Sequence, residues 1–166
     1  MKGRQCMSFQ ENRTQEEVNE EVTNLLEKRN KDFQDGIMSH IYPENCNISV
    51  TDQKGTMELT MTEFMSNPIG IVHGGMLVTI FDTYGGILSR VLTGNHSITT
   101  TDIQTSFLKP VQIGEKVKVE VKMTARGKSI LHVIGELVLP NGSIGATASM
   151  TYYIFKKPLD KRQLRD

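Results

Sequence analysis

The 166-residue chain has no tryptophan and only two cysteines, Cys6 and Cys46. They form no Cys-x-x-Cys pair and no larger even-numbered framework, which excludes a disulfide scaffold and a cysteine-built zinc site and fits a reducing cytosol. No run of eighteen apolar residues occurs, and the opening Met-Lys-Gly-Arg-Gln-Cys-Met-Ser-Phe-Gln lacks the apolar stretch of a secretory leader. The expectation is a cytoplasmic protein that neither spans a membrane nor is exported. An excess of either charge is also missing, since nineteen Lys plus Arg balance nineteen Asp plus Glu. A balanced chain has no basic field to gather nucleic acid or anionic lipid, so neither is an expected partner.

What is present is an ordinary globular composition, 37% hydrophobic and 23% charged, which argues against wholesale disorder. A chain near this length buries about 70% of its unfolded surface, so one domain can hold a core without staples. Residues 1–13 are polar and irregular and are expected to be a flexible N-terminus. From Thr14 the apolar positions Val18, Val22, Leu25, Leu26, Phe33 and Ile37 recur at steps of three and four, which predicts one amphipathic helix within an N-terminal extension, 14–45. Gly36 and then Pro43 would end it.

From Asn47 the period changes to two. Ile48 and Val50 alternate with polar neighbours, Asp52-Gln53-Lys54-Gly55 supplies a turn, and Met57, Leu59 and Met61 alternate again, so a hairpin is expected. Residues 74–92 then carry apolar groups on nearly every side, the pattern of a buried helix. After the Gly94-Asn95 stop, 97–108, 115–126, 129–139 and 143–155 read as strands. Turns fall at Lys109-Pro110 to Gly114, Arg126-Gly127-Lys128 and Pro140-Asn141-Gly142. Strands joined by such short connections must be largely antiparallel. The expected fold is α+β: one long helix wrapped by a curled antiparallel sheet over 46–156, with an extra N-terminal helix and a frayed charged tail, 157–166. A sheet covers such a helix on one side only, so a second copy is expected on the open flank.

Two features of the buried helix exceed what packing requires. His73-Gly74-Gly75 stands at its mouth, and each glycine costs about 0.5–1 kcal/mol against alanine inside a helix. Bare backbone at a helix N-terminus lets a ligand oxygen reach free N–H groups at the positive end of the dipole, which makes an oxyanion site. Asp82 lies among Ile80, Phe81 and Tyr84, where an ionised carboxylate is costly unless donors reach it, Thr79 or Thr83 being nearby candidates. Nine residues separate His73 from Asp82, roughly 13 Å of helix, too far to act on one carbonyl within one chain. A twofold pairing would bring the mouth of one copy to the aspartate of another, and Gly85 and Gly86 would permit the close approach.

The run Asn67-Pro68-Ile69-Gly70-Ile71-Val72-His73-Gly74-Gly75, followed by Asp82 in the helix and Lys109-Pro110 after the next strand, resembles the PaaI-like hotdog-fold acyl-CoA thioesterases over about residues 47–155. The resemblance implies that Gly74 N–H polarises a thioester carbonyl while Asp82 of a neighbouring subunit activates water or attacks directly. It also implies that Asn67 and His73 orient the thioester or water, and that Thr100, flanked by Thr99 and Thr101, helps hold the water. Glutamate is the family's alternative acid; the shorter aspartate here favours a water-mediated attack. A homo-oligomer with sites at the dimer interface, a dimer or a dimer of dimers, is implied too. Gly75 would help bind substrate, and Lys109, Arg126 and Lys128 could meet the phosphates of coenzyme A.

A thioester is already activated, so an oxyanion donor and one base suffice. The expectation is no metal and no cofactor, with coenzyme A present only as part of the substrate. His40, His96 and His132 show no ligand spacing and read as solvated or satisfied by neighbours. Met61, Phe64, Phe81 and Tyr84 are candidates for the acyl-pocket floor, although ordinary core packing is the favoured reading of them. Two other functions compete: a non-catalytic acyl-CoA-binding regulator, against which the retained Asp82 speaks, and an enoyl-thioester hydratase, which would need aspartate and histidine close together.

Overall fold

The computed structural model of the protein describes residues 13–32, 36–94 and 97–156. Residues 1–12, 33–35, Asn95, His96 and the charged tail from 157 lie outside the described residues. Helix α1 spans Gln15–Asp32 and a short helix α2 spans Ile37–Ile41. Strands β1 (Asn45–Ser49) and β2 (Lys54–Thr60) form the expected hairpin, and helix α3 runs Gly74–Thr93. Strands β3 (Ile98–Phe107), β4 (Lys116–Arg126), β5 (Ile130–Val138) and β6 (Ile144–Ile154) complete one six-stranded antiparallel sheet, ordered β1-β2-β4-β5-β6-β3.

Two sequence expectations change. The N-terminal helix does not run through Ile37, which instead opens α2. Gly36 ahead of it has φ +89°, a backbone state that side-chain-bearing residues avoid and that turns the chain. Nor is β3 joined to β4 by a simple turn. β3 pairs with β6 at the sheet edge, while β4 lies between β2 and β5, so the connection 108–115 crosses the sheet end. It is held on the way: Leu108 and Lys109 N–H donate to Gly145 O, Val72 N–H to Val111 O, and Gly114 N–H to Met61 O. The crossing carries Lys109 and Pro110 past the entrance of α3.

The core follows from the two periods. Val117, Val119, Val121 and Met123 of β4, with Leu131, Val133 and Leu137 of β5, point inward at every second residue. They meet Leu77, Ile80, Phe81, Tyr84, Ile87, Leu88 and Val91 of α3. Gly135 makes room for Phe81, since a Cβ there would lie 2.9 Å from the ring. Helix α1 buries Val18 and Val22, and Gln15 bonds both Ile48 O (2.6 Å) and Val50 N (2.9 Å) of the first hairpin. Arg13 reaches Val91 O in the last turn of α3 at 2.7 Å and pairs with Glu21. Helix α1 is thus fastened to the first hairpin and to the far end of α3. Cys46 is packed in this core, and burial pushes its thiol up to about 12, so it is an inert packing group.

Candidate active site

The chain enters α3 through a loop that Asn67 ties together. Asn67 N–H donates to Ile71 O (2.8 Å), and its Oδ1 accepts from Ile69 N (3.0 Å) and Ile71 N (3.3 Å). Gly70 takes φ +82° inside this turn, and its N–H donates to Asn67 O. With Oδ1 committed to two amides, the Nδ2 donors of Asn67 have no protein acceptor among the described residues. Asn67, Gly74, Leu77, Phe107, Lys109 and Val111 line a cavity of about 400 Å³ at this point.

His73 is the N-cap of α3. Its Nδ1 accepts from Gly75 N at 2.9 Å, which places the ring proton on Nε2, and its carbonyl accepts from Met76 N (2.9 Å) and Leu77 N (3.3 Å). Of the first four amides of the helix, Gly74 N–H alone has no protein acceptor among the described residues. The two glycines therefore serve different ends. A Cβ on Gly75 would come 3.1 Å from His73 Nδ1, so Gly75 is bare for the cap, and its amide is not offered to a ligand. Gly74 carries the free donor.

Asp82 is half-buried on the open flank of α3. Its partner is neither Thr79, which bonds Gly75 O at 2.8 Å, nor Thr83. Thr100 Oγ1 of β3 donates to Asp82 Oδ1 at 2.5 Å. What aims Thr100 inward is a β-bulge: Thr100 pairs with Tyr152 but Asp102 pairs with Thr151, so Thr101 is the extra residue and the inward alternation restarts at Ile103. Across the helix Tyr152 Oη donates to the main-chain carbonyl of Asp82 at 2.9 Å. Burial first, and the charge of Asp82 second, hold that phenol well above its ordinary range, so it stays a donor. Gly85 permits this contact, because a Cβ there would lie 2.4 Å from Tyr152 Oη. Its expected role between two helices is corrected: Gly85 is buried against β6 of its own chain.

Thr100→Val keeps the strand shape and removes the donor to Asp82. Loss of a hydrogen bond to a charged group predicts a fall in kcat of about tenfold with little change in KM, read as thiol release from a coenzyme A thioester. An unchanged kcat would show that Thr100 does not hold the carboxylate for the reaction.

Residues 69–146 match the family model of the Thioesterase superfamily, and the curled sheet around one long helix is the hotdog architecture. The chain has the hotdog fold. A Saccharolobus solfataricus protein provisionally named as an esterase is 24% identical over 109 residues, 66% of this chain and 77% of that protein. Mouse acyl-coenzyme A thioesterase 13 is 22% identical over 83 residues, 50% of this chain and 59% of the mouse protein. The E. coli PaaI protein, from the phenylacetic acid degradation operon, superposes with a TM-score of 0.70 at 16% identity, covering 88% of this chain and 99% of that one.

Within one copy of the hotdog domain the chemistry-bearing residues form two groups. Asn67, His73, Gly74 and Lys109 gather at the mouth of α3, and Asp82 with Thr100 lies eight residues further on, about 12 Å along the helix. Arg126 belongs to the second group's end of the sheet: the register runs Arg126–Leu131–Tyr152–Thr100 across β4, β5, β6 and β3, roughly 14 Å of strand spacing. Lys128, in the turn after it, shares that end. Lys109 is therefore not beside Arg126 and Lys128 in one chain.

The suggested pocket floor is also corrected. Met61, Phe81 and Tyr84 are sealed in the core, and Phe64 is 54% exposed and stacked on His40 at 3.9 Å between ring centroids. The apolar cavity lining comes instead from Leu77, Phe107 and Val111. Alternation alone placed Phe107 at a strand end, and only the crossing of 108–115 shows that it sits over Gly74. His132 Nδ1 lies 3.0 Å from Thr151 Oγ1 on the outer sheet face.

Proposed function

We propose that the protein is an acyl-CoA thioesterase, hydrolysing an acyl- or aryl-acyl-CoA to the free acid and coenzyme A at sites shared between two copies of the chain. The observation that carries this reading is the single uncommitted amide, Gly74 N–H, at the cavity-lined mouth of a helix whose flank also bears Asp82. Gly74 N–H, reinforced by the helix dipole, receives the thioester carbonyl oxygen and the charge that develops on it. Asp82, positioned by Thr100, takes a proton from water as the water oxygen attacks the carbonyl carbon. The tetrahedral intermediate expels the thiolate of coenzyme A, which recovers that proton from Asp82. Asn67 Nδ2 and His73 Nε2, both donors, orient the thioester or the water. No step requires a metal or a bound cofactor. Lys109 of one copy and the Arg126–Lys128 turn of the other offer cations for the exposed phosphates of coenzyme A.

The chain's own edges favour the twofold arrangement. Among the described residues β3 is a ten-residue edge strand with no fully buried residue, hydrogen-bonded on one side only. An unpaired edge of that length invites a second strand. Along it Thr100 sits beside Asp82, and Phe107 sits beside Gly74. Antiparallel pairing of two β3 strands with Thr100 opposite Phe107 therefore sets Asp82 of each copy toward Gly74 of the other and makes two equivalent sites. Two such dimers then form a tetramer.

Complementation tests this reading. Gly74→Pro removes the amide at the first helical position, where proline is well tolerated, and His73 before it is already extended at ψ 133°. Gly74→Pro and Asp82→Asn should each be nearly inactive in thiol release from a panel of aliphatic and aromatic coenzyme A thioesters. Mixed in equal amounts after unfolding and refolding, they should regain about a quarter of wild-type activity, since half the dimers are mixed and one of their two sites is intact. A mixture no more active than its components would place each site within one chain. A wild-type protein that binds thioesters and hydrolyses none would leave only the binding role.

A further inference from the structure

Phe107 ends β3 with its side chain on the inward face, yet it is 54% exposed and so is not sealed in the core. The ring stands over the entrance of α3. The three heavy atoms nearest to a Cβ built on Gly74 are all its own: Cζ at 3.2 Å, Cε2 at 3.4 Å and Cε1 at 3.5 Å. The far edge of the ring thus closes on the first residue of α3, whose amide has no protein acceptor among the described residues.

Helical geometry then sets ring and ligand side by side. At a φ of about −60° the N–H bond and the Cα–Cβ direction of a residue are nearly eclipsed. An oxygen about 2.9 Å from Gly74 N therefore lies about 3.5 Å from the position a Cβ would take. A carbonyl that accepts from Gly74 and the Phe107 ring flank one vacant spot, which a methyl group would crowd from both sides. The cavity beyond it decides which part of a thioester continues past the ring. Val72, Leu77 and Val111 give that cavity a buried apolar lining, and its polar members are the half-buried Asn67 and the exposed Lys109. An acyl chain matches the apolar part, whereas the pantetheine arm of coenzyme A carries amides that would lose their water there.

We propose that Phe107 selects the acyl group by shape: its ring forms a neck beside Gly74 that admits a chain unbranched at the carbon next to the thioester carbonyl and rejects a chain branched there. The assignment rests on the thioesterase reading above. With the carbonyl oxygen on Gly74 N–H and the chain directed toward Leu77 and Val111, that carbon is the one that passes the ring edge. A second substituent on it has to displace the ring or lift the oxygen from the amide. In the antiparallel pairing of β3 strands set out above, Phe107 stands opposite Thr100 of the partner subunit, which backs the ring and limits its retreat. Carbons further along the chain lie in the wider cavity of about 400 Å³ and do not meet this restriction.

The test compares kcat/KM for butanoyl-coenzyme A and 2-methylpropanoyl-coenzyme A, which contain the same atoms and differ only in the branch. The wild-type protein should favour the butanoyl thioester by about tenfold or more, the scale on which one methyl group is discriminated. Phe107→Leu removes the three ring atoms nearest Gly74 and keeps an apolar side chain at the strand end. It should bring the ratio to within about threefold, chiefly by raising the rate with the branched thioester, and Phe107→Ala should do at least as much. A smaller wild-type ratio overturns the assignment without recourse to any variant. So does a ratio that Phe107→Leu leaves in place, including a variant that loses both activities in equal proportion. Release of thiol from neither compound, nor from any other thioester of the panel, overturns the thioesterase reading itself, an outcome distinct from hydrolysis without selectivity.

Discussion

Asp82→Asn is expected to lower kcat for thioester hydrolysis by about 10²–10⁴, the range that a positioned general base contributes. The substitution isolates basicity from structure. Asparagine has the same size, and its Oδ1 can still accept from Thr100 Oγ1, the bond that fixes the side chain at 2.5 Å. The main-chain carbonyl of residue 82 still accepts from Tyr152 Oη, so the helix keeps its seat on β6. Only the lone pair that takes a proton from water is lost. The fall should appear in kcat with KM nearly constant, because the carbonyl is held by an amide one helix away in space and the nucleotide by groups that do not touch Asp82. Asp82→Ala should be equally inactive while also releasing Thr100. Sedimentation and circular dichroism of both variants should match wild type. Turnover within threefold of wild type in either variant would remove the base assignment, even with oligomer and fold intact.

That Asp82 could be singled out at all reflects how patterns become structure. Strands β4, β5 and β6 alternate over most of their length, and α3 is apolar on nearly every side, so periodicity placed them to within a residue or two. The carboxylate stood out as the one charge in the middle of that helix. Other features are set by geometry that alternation does not encode. The bulge at Thr101 shifts the inward parity of β3, and without it the choice among Thr99, Thr100 and Thr101 has no physical basis. Pairing of β3 with β6 is a long-range choice, and it alone turns 108–115 into the crossing that walls the cavity. The two pairs of glycines look alike as letters. His73 capping through Nδ1 separates Gly75 from Gly74, and the seat of Tyr152 separates Gly85 from Gly86.

Gly85→Ala should cost about 2–4 kcal/mol of stability, the sum of overpacking a closed core and weakening one buried hydrogen bond. The added methyl would arrive 2.4 Å from Tyr152 Oη and 2.8 Å from Met150 Sδ. Neither can yield cheaply. Tyr152 is 2% exposed and Met150 fully buried, and β6 carrying both is held between β5 and β3 along its whole length. The phenol is pinned at its other side by Asp82 O, and turning the ring away would leave a buried hydroxyl unpaired. Gly86→Ala is the internal control. Its Cβ meets nothing closer than 3.5 Å, and the gain in helix propensity predicts a neutral result or a stabilisation of up to about 1 kcal/mol. Urea unfolding at one fixed protein concentration compares the two, since subunit association would otherwise shift the midpoints. Gly85→Ala combined with Tyr152→Phe deletes the atom at the closest approach and should recover part of the loss, with Met150 accounting for the remainder. Equal midpoints for the two alanine variants would mean that α3 can slide on β6. The carbonyl bond that seats Asp82 would then not fix the carboxylate relative to the helix mouth of a second copy.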